Sequence, residues 1–175
     1  MLALTTLEPP QEAPLSGDAA ATGPTHVNIG AGASYLPGFA NVDIADHAEI
    51  SLNLSTDPLP FETSSVDVGY SAHTLEHVDD YLFALSEIHR VLRHGGQFFL
   101  EVPYVTLTKY NLVNPYHKHH FNEFSFDFFH VDKLKGAAVE ENPVLFEKVF
   151  HVFHPQGGFR FVPPPLSGWC RAHIR

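Results

Sequence analysis

"NIGAGASYLPGFANVDI", residues 28–44, decides how this chain folds. A short apolar strand runs into Gly30-Ala31-Gly32, and a second strand closes on Asp43. Gly-x-Gly after a strand lets the backbone pass close to a ligand, because a side chain at either glycine would obstruct it. In a dinucleotide fold that loop opens a helix, and the ribose-binding acid follows about 20 residues later. Here Gly30 and Asp43 are only 13 positions apart, with Pro37 and Gly38 between them. A three-turn helix needs about 11 residues, and proline and glycine suit a helix interior poorly. The spacing predicts strand, open loop, strand. Ser34 and Tyr35 stand where a pyrophosphate fingerprint would continue, so the helix N-terminus that serves as its anion site is missing. NAD and FAD are disfavoured; a nucleoside without phosphates needs no such site.

Outward from this stretch, residues 1–24 are rich in Pro, Ala, Thr and Ser without apolar periodicity and read as a flexible arm. Residues 25–175 read as one domain. HVNIG, FANVDI, EISLNL and SVDVGY are strand candidates. DDYLFALSEIHRVLRHGG is helical: Asp79 or Asp80 can cap it, and Leu82, Leu85, Ile88, Val91 and Leu92 recur at helical spacing. Arg90, Arg93 and His94 fall in its expected last turn, with Gly95 as C′ residue. QFFLEVP follows as a buried strand. This order predicts an α/β fold with a mostly parallel sheet. FSFDFF reads as a short helix, and VLFEKVFHVF with GGFRFV as an antiparallel C-terminal hairpin at the sheet edge.

Composition narrows the function classes. The net charge of −10, with ten scattered basic residues, argues against binding nucleic acid, which requires clustered Lys and Arg. No apolar run approaches the roughly 20 residues of a membrane span, and the first residues lack the basic and apolar regions of a secretory signal. The single cysteine, Cys170, fits a reducing compartment. The expectation is a cytoplasmic protein that handles a small molecule.

Read together, VNIGAG, LPGFANVDI, DPLPFETSSVDVGYSAHTLEHV and LSEIHRVLRHGGQFFLEVP resemble the class I S-adenosylmethionine-dependent methyltransferases, and most of all the small type 11 methyltransferase-like group. The likeness covers about residues 26–104. It implies a Rossmann-like sheet, S-adenosyl-L-methionine as cofactor, and methyl transfer to a small-molecule or saccharide-like acceptor. By the resemblance, Gly30, Ala31 and Gly32 receive the methionine end of the cofactor, and Asp43 holds the ribose with Ile44 beside the adenine. Asn53 and Leu54 match the segment at the adenine edge, and Ser71, Ala72 and His73 face the cofactor from the other side. In the LEH tripeptide Leu75 packs and His77 is structural. The chain departs from the family pattern at Asn28 and Asn53, where an acid is usual. An amide oxygen can still accept a hydrogen bond from an adenine amino group.

Methyl transfer from a sulfonium chiefly requires positioning, with a general base only where the nucleophile must lose a proton. Candidate catalytic residues follow the last core strand: Tyr104, and His117 in NPYHKHHFNEFSF. A metal reading of HKHH would use His117 and His120, with a third ligand from His130, Glu123 or Asp127. Asn114-Pro115 argues for a loop instead, and no HExxH or cysteine signature is present; no metal is assigned. His151 and His154 read as surface groups. Phe121, Phe124, Phe128 and Phe129 are expected to pack on the sheet. An inactive methyltransferase-like interaction module is the alternative reading, and an NAD-dependent oxidoreductase a third. A second subunit, in a dimer, is one way to complete an open site.

Overall fold

The computed structural model describes residues 2–6, 24–105, 111–130 and 144–151. The strands are β1 (Leu2–Thr6), β2 (His26–Ile29), β3 (Ala40–Asp43), β4 (Ile50–Ser51), β5 (Val66–Ala72), β6 (Leu92–Glu101) and β7 (Phe146–His151). They form one sheet in the order β4-β3-β2-β5-β6-β1-β7. The pairs β4–β3, β3–β2, β2–β5 and β5–β6 are parallel. The fold is α/β and Rossmann-like, as the order of elements predicts. Helix α1 (Tyr81–Val91) makes the β5–β6 crossover, and a 3₁₀ turn occupies Asp127–Phe129.

β2 and β3 are joined without a helix, and two buried asparagines make that possible. Asn28 and Asn41 stand opposite each other in the parallel register, only 2% and 1% exposed. The Asn28 side-chain amide donates to Asn41 Oδ1 at 2.8 Å and to the Ser34 carbonyl at 2.9 Å. Asn41 Oδ1 also accepts from Leu36 N–H at 2.9 Å. The Asn41 Nδ2 protons are shared among the carbonyls of Leu36 and Phe39 and the Glu49 carboxylate. The loop thus lies over one sheet face, where a crossover helix would otherwise stand, with its inward backbone groups paired.

The opposite face is apolar. Val27, Ile29, Val42, Phe98 and Leu100 are buried there together with Ala84, Leu85, Ile88 and Val91 of α1. Asp80 caps the helix by accepting from Phe83 N–H at 2.9 Å. Arg90 and Glu87 clamp the β4–β5 loop: Arg90 donates to the carbonyls of Leu59 and Phe61, and Glu87 Oε2 accepts from Leu59 N–H and pairs with Arg90 at 2.7 Å.

Several expectations are corrected. Leu2–Thr6, inside the stretch read as a flexible arm, is a strand inserted between β6 and β7 and antiparallel to both. Its alternation Leu-Ala-Leu is too short to register as a pattern without its partners. β7 is an edge strand, but its antiparallel partner is β1, which makes β7 parallel to β6. GGFRFV lies outside the described residues. EISLNL yields only the two-residue β4. The helix ends at Val91, so His89 and Arg90 occupy its last turn. Arg93, His94 and Gly95 belong instead to a bulged start of β6, where pairing jumps from Val66↔Leu92 to Val68↔Gln97. Phe121 and Phe129 are buried and Phe128 packs against the core, but Phe124 is exposed and Phe126 takes its place. Among the described residues no helix is long and apolar enough to cross a membrane.

Two stability measurements test these contacts. Asn41→Ala removes one shared acceptor and one amide donor from a dry site, and should cost about 2–4 kcal/mol in urea unfolding. The Arg90 guanidinium holds the Glu87 carboxyl below its ordinary range of 4.5, burial opposing it and Leu59 N–H assisting. That contribution is complete above the unfolded glutamate value and is lost as pH falls through the lower folded value. Glu87→Gln should therefore flatten the acid limb of the stability–pH curve below about pH 4.3.

Candidate functional site

The carboxyl ends of β2, β3, β4 and β5 form one continuous ledge, the usual place for a ligand in an open α/β sheet. Gly30 N–H and Ala31 N–H both donate to the Val42 carbonyl, at 2.8 and 2.9 Å. Gly32 N–H donates to Asp43 Oδ2 at 2.8 Å, and Asp43 Oδ1 accepts from Ala45 N–H at 3.0 Å. The acid that comes so early in the sequence is therefore bonded directly to the glycine loop. Leu52 N–H donates to the Asp43 carbonyl at 2.9 Å and brings the next segment alongside.

Both glycines have left-handed backbones, with φ of 71° at Gly30 and 51° at Gly32. Their surroundings differ. A Cβ on Gly30 would fall 2.0 Å from Thr74 Oγ1, whereas one on Gly32 would meet nothing within 4 Å among the described residues. Gly30 is thus pressed against the exit of β5, and Gly32 borders open space. Thr74 escaped the sequence reading because only the fold brings it to Gly30. Its hydroxyl lies 3.1 Å from the Ala72 carbonyl and 3.3 Å from that of Gly30.

The other expected residues are distributed along the ledge. Ala31 is buried, and Ile44 is 68% exposed beside Asp43. Asn53 closes its own turn: Oδ1 accepts from Ser55 N–H at 3.0 Å, and its backbone carbonyl accepts from Thr56 and Asp57. Leu54 joins the core. Ser71 is fully buried, with no hydrogen-bond partner for Oγ among the described residues. Ala72 is half-buried. His73 has a left-handed φ of 53° and donates its backbone N–H to Glu101. Its side-chain contact with Glu76 raises the imidazole above its ordinary range, with partial burial opposing.

Across from the ledge, residues 117–121 dock on the turn after β5. Lys118 N–H and His119 N–H donate to the Glu76 carbonyl at 2.7 and 3.2 Å, and the His119 ring donates to the Val78 carbonyl. His117 and His77 meet edge to face, with ring centroids 4.7 Å apart. Their partners fix both tautomers. His77 Nδ1 is 3.2 Å from the Tyr116 carbonyl, and His117 Nδ1 is 3.1 Å from the Asn111 carbonyl. A carbonyl only accepts, so each Nδ1 carries a proton, and in the neutral ring Nε2 is the nitrogen with the lone pair. Tyr104 lies farther along, donating its hydroxyl to Glu123 at 2.5 Å. That bond, with the Glu123 charge, raises the phenol above its ordinary range. His130, Glu123 and Asp127 do not join His117 in a cluster; Asp127 and the Glu123 carbonyl hold the buried Lys148 instead.

Residues 39–100 match the family model of a methyltransferase domain, the stretch that runs from the end of the glycine loop through Asp43 and the LEH turn to β6. Over those 62 of its 175 residues the chain is similar to a methyltransferase domain. A sterol 4-C-methyltransferase of Caenorhabditis elegans is 36% identical over 62 residues, covering 35% of this chain. The match spans only 18% of that relative's length. Among solved structures, a chain of the complex containing the Haloferax volcanii Trm112 methyltransferase activator is 22% identical with a TM-score of 0.47, over 61% of this chain and 58% of that one.

The contact between Gly30 and Thr74 locks the glycine loop to the β5 exit. Gly30→Ala combines a disfavoured φ with a collision and should lower stability by more than the roughly 1 kcal/mol of a left-handed alanine alone. Thr74→Ala removes the two nearest colliding atoms. Thermal unfolding of the double-mutant cycle should show partial rescue.

Proposed function

We propose that the chain binds S-adenosyl-L-methionine on the ledge and transfers its methyl group to a small-molecule or saccharide-like acceptor. The observation that carries this reading is the bond from Gly32 N–H to Asp43 Oδ2, which sets a carboxylate at the lip of the glycine loop. The residues fit the cofactor: the space over Gly32 is open, and each Asp43 oxygen accepts one backbone N–H and keeps a lone pair for a ribose hydroxyl. Ile44, exposed beside it, offers an apolar face to an adenine. Asn53 keeps its Nδ2 protons and a second Oδ1 lone pair for the adenine edge.

When bound, the cofactor supplies a methyl group activated by its sulfonium. The chain orients the acceptor against it and limits water. Loop 111–122 bears groups suited to both roles. Tyr116 is exposed, His120 and Asn122 are exposed near it in sequence, and His117 presents a lone pair on Nε2. Aromatic faces mixed with hydrogen-bonding groups suit a hydroxylated acceptor. The family match ends at residue 100, before this loop, so the sterol of the relative's name does not transfer to this chain. Cytoplasmic residence agrees with the single cysteine. A protein-contact module without cofactor is the second reading, favoured by the amides at Asn28 and Asn53 where the resemblance leads one to expect acids.

Titration calorimetry with S-adenosylhomocysteine separates the two. The wild-type chain should bind one equivalent, and Asp43→Ala should weaken binding by about 10-fold or more, the loss of charge-assisted hydrogen bonds worth ~1.5–3 kcal/mol. No heat of binding at millimolar ligand overturns the enzyme reading and leaves the second.

A further inference from the structure

Glu76, 0% exposed, carries a buried carboxylate whose oxygens accept no hydrogen bond among the described residues. His73 Nδ1 lies 3.3 Å from Oε1, a charge contact not aligned as a hydrogen bond, and it leaves Oε2 unaccounted for. Lys118, next to His117, directs its ammonium to Asp79 instead. Burying a lone carboxylate is costly unless a cation or a set of donors meets it.

Beside His73, two further imidazoles approach it. One oxygen of Glu76 and one ring nitrogen each of His77 and His117 lie within 4.8 Å of one another. His77 Nε2, the nitrogen with the lone pair, is 3.9 Å from Glu76 Oε1. Both imidazoles are held through Nδ1 by carbonyl oxygens, and Asn111 Oδ1 lies a further 3.2 Å from His117 Nδ1. Carbonyl acceptors behind a ligand imidazole fix its ring and tautomer in metal sites. A buried carboxylate oxygen and two ring nitrogens that converge this closely describe a place for a cation.

We propose that Glu76, His77 and His117 form a binding site for a divalent transition-metal cation of the zinc type. Two imidazoles and one carboxylate are a zinc donor set, and three protein ligands leave a coordination position open. The His77 side chain is 39% exposed, which gives that position access to solvent or to an acceptor oxygen. The cation would cross-link the turn after β5 to loop 111–120, adding to the backbone bonds from Lys118 and His119 to Glu76. The sequence reading assigned no metal; in this proposal the companions of His117 come from the LEH tripeptide, some 40 residues upstream.

The inference stands without the methyl-transfer reading, because the test contains neither cofactor nor acceptor. The untagged full chain, stripped with chelator, is titrated with Zn²⁺ by calorimetry and with Co²⁺ by visible absorption. One equivalent should bind and give the intense bands of low-coordinate cobalt. Glu76→Gln and His117→Ala should each weaken Zn²⁺ at least about 100-fold, more than the 10–100-fold typical of an outer partner. His94→Ala, exposed in β6, should leave affinity unchanged. A folding control comes from the zinc-free proteins. Glu76→Gln removes a buried charge and should keep or raise Tm, while Zn²⁺ should raise Tm of the wild type only. The proposal is overturned if no saturable equivalent binds, or if both ligand variants retain wild-type affinity.

Discussion

The pair Asn28–Asn41 is the constraint on which the sheet depends. Parallel strands require a crossover, and a helix normally satisfies the backbone of that crossover internally. The ten residues between β2 and β3 are too few for this. Their carbonyls and N–H groups would lie over the sheet unpaired, at a cost of about 1–3 kcal/mol for each buried group. Asn41 alone engages Leu36, Phe39, Glu49 and Asn28. The side-chain amide can do this because it carries both donors and an acceptor in one plane. An aspartate at either position would present only acceptors and could not serve both the loop carbonyls and its partner. This role accounts for an amide at Asn28, where the resemblance leads one to expect an acid.

The same constraint shapes the ledge. With no helix between them, Gly32 and Asp43 meet directly, and the loop stays low enough to leave the space over Gly32 open. The opposite face supplies the compensation. There α1 buries a full apolar stripe against Val27, Ile29, Phe98 and Leu100, and the Glu87–Arg90 clamp ties the β4–β5 loop to it. A polar network on one face and an apolar layer on the other hold the same strands. Both faces therefore act on the position of Asp43 and His73.

How much was legible depended on the range of the interactions. The open loop between Gly32 and Ala40, the cap at Asp80 and the parallel core follow from local signals: Pro37 and Gly38, an acid before an apolar repeat, and alternating short strands. β1 was not legible, since Leu2–Thr6 owes its strand to Phe98–Leu100 and to β7. The end of α1 was misplaced because Arg93, His94 and Gly95 look like a helix C-terminus, while pairing with Val66 already begins at Leu92. At the site, Gly30, Gly32 and Asp43 stood out as a spacing. Thr74 and Glu76 did not, because their significance lies in contacts with residues about 40 positions away.

The turn at residues 73–77 joins the two halves of the site. His73 holds a left-handed backbone without being glycine, a conformation costing on the order of 1 kcal/mol or more. That turn brings Thr74 inward against Gly30 and Glu76 under loop 117–121 within a few residues. A relaxed backbone at His73 would re-aim both. Strain at this one position is offset by the hydrogen bonds at either side, from His73 N–H to Glu101 and from His77 N–H to Thr74. The glycine loop and the histidine loop, distant in sequence and not paired through strands, are thereby held in fixed relation by a single turn.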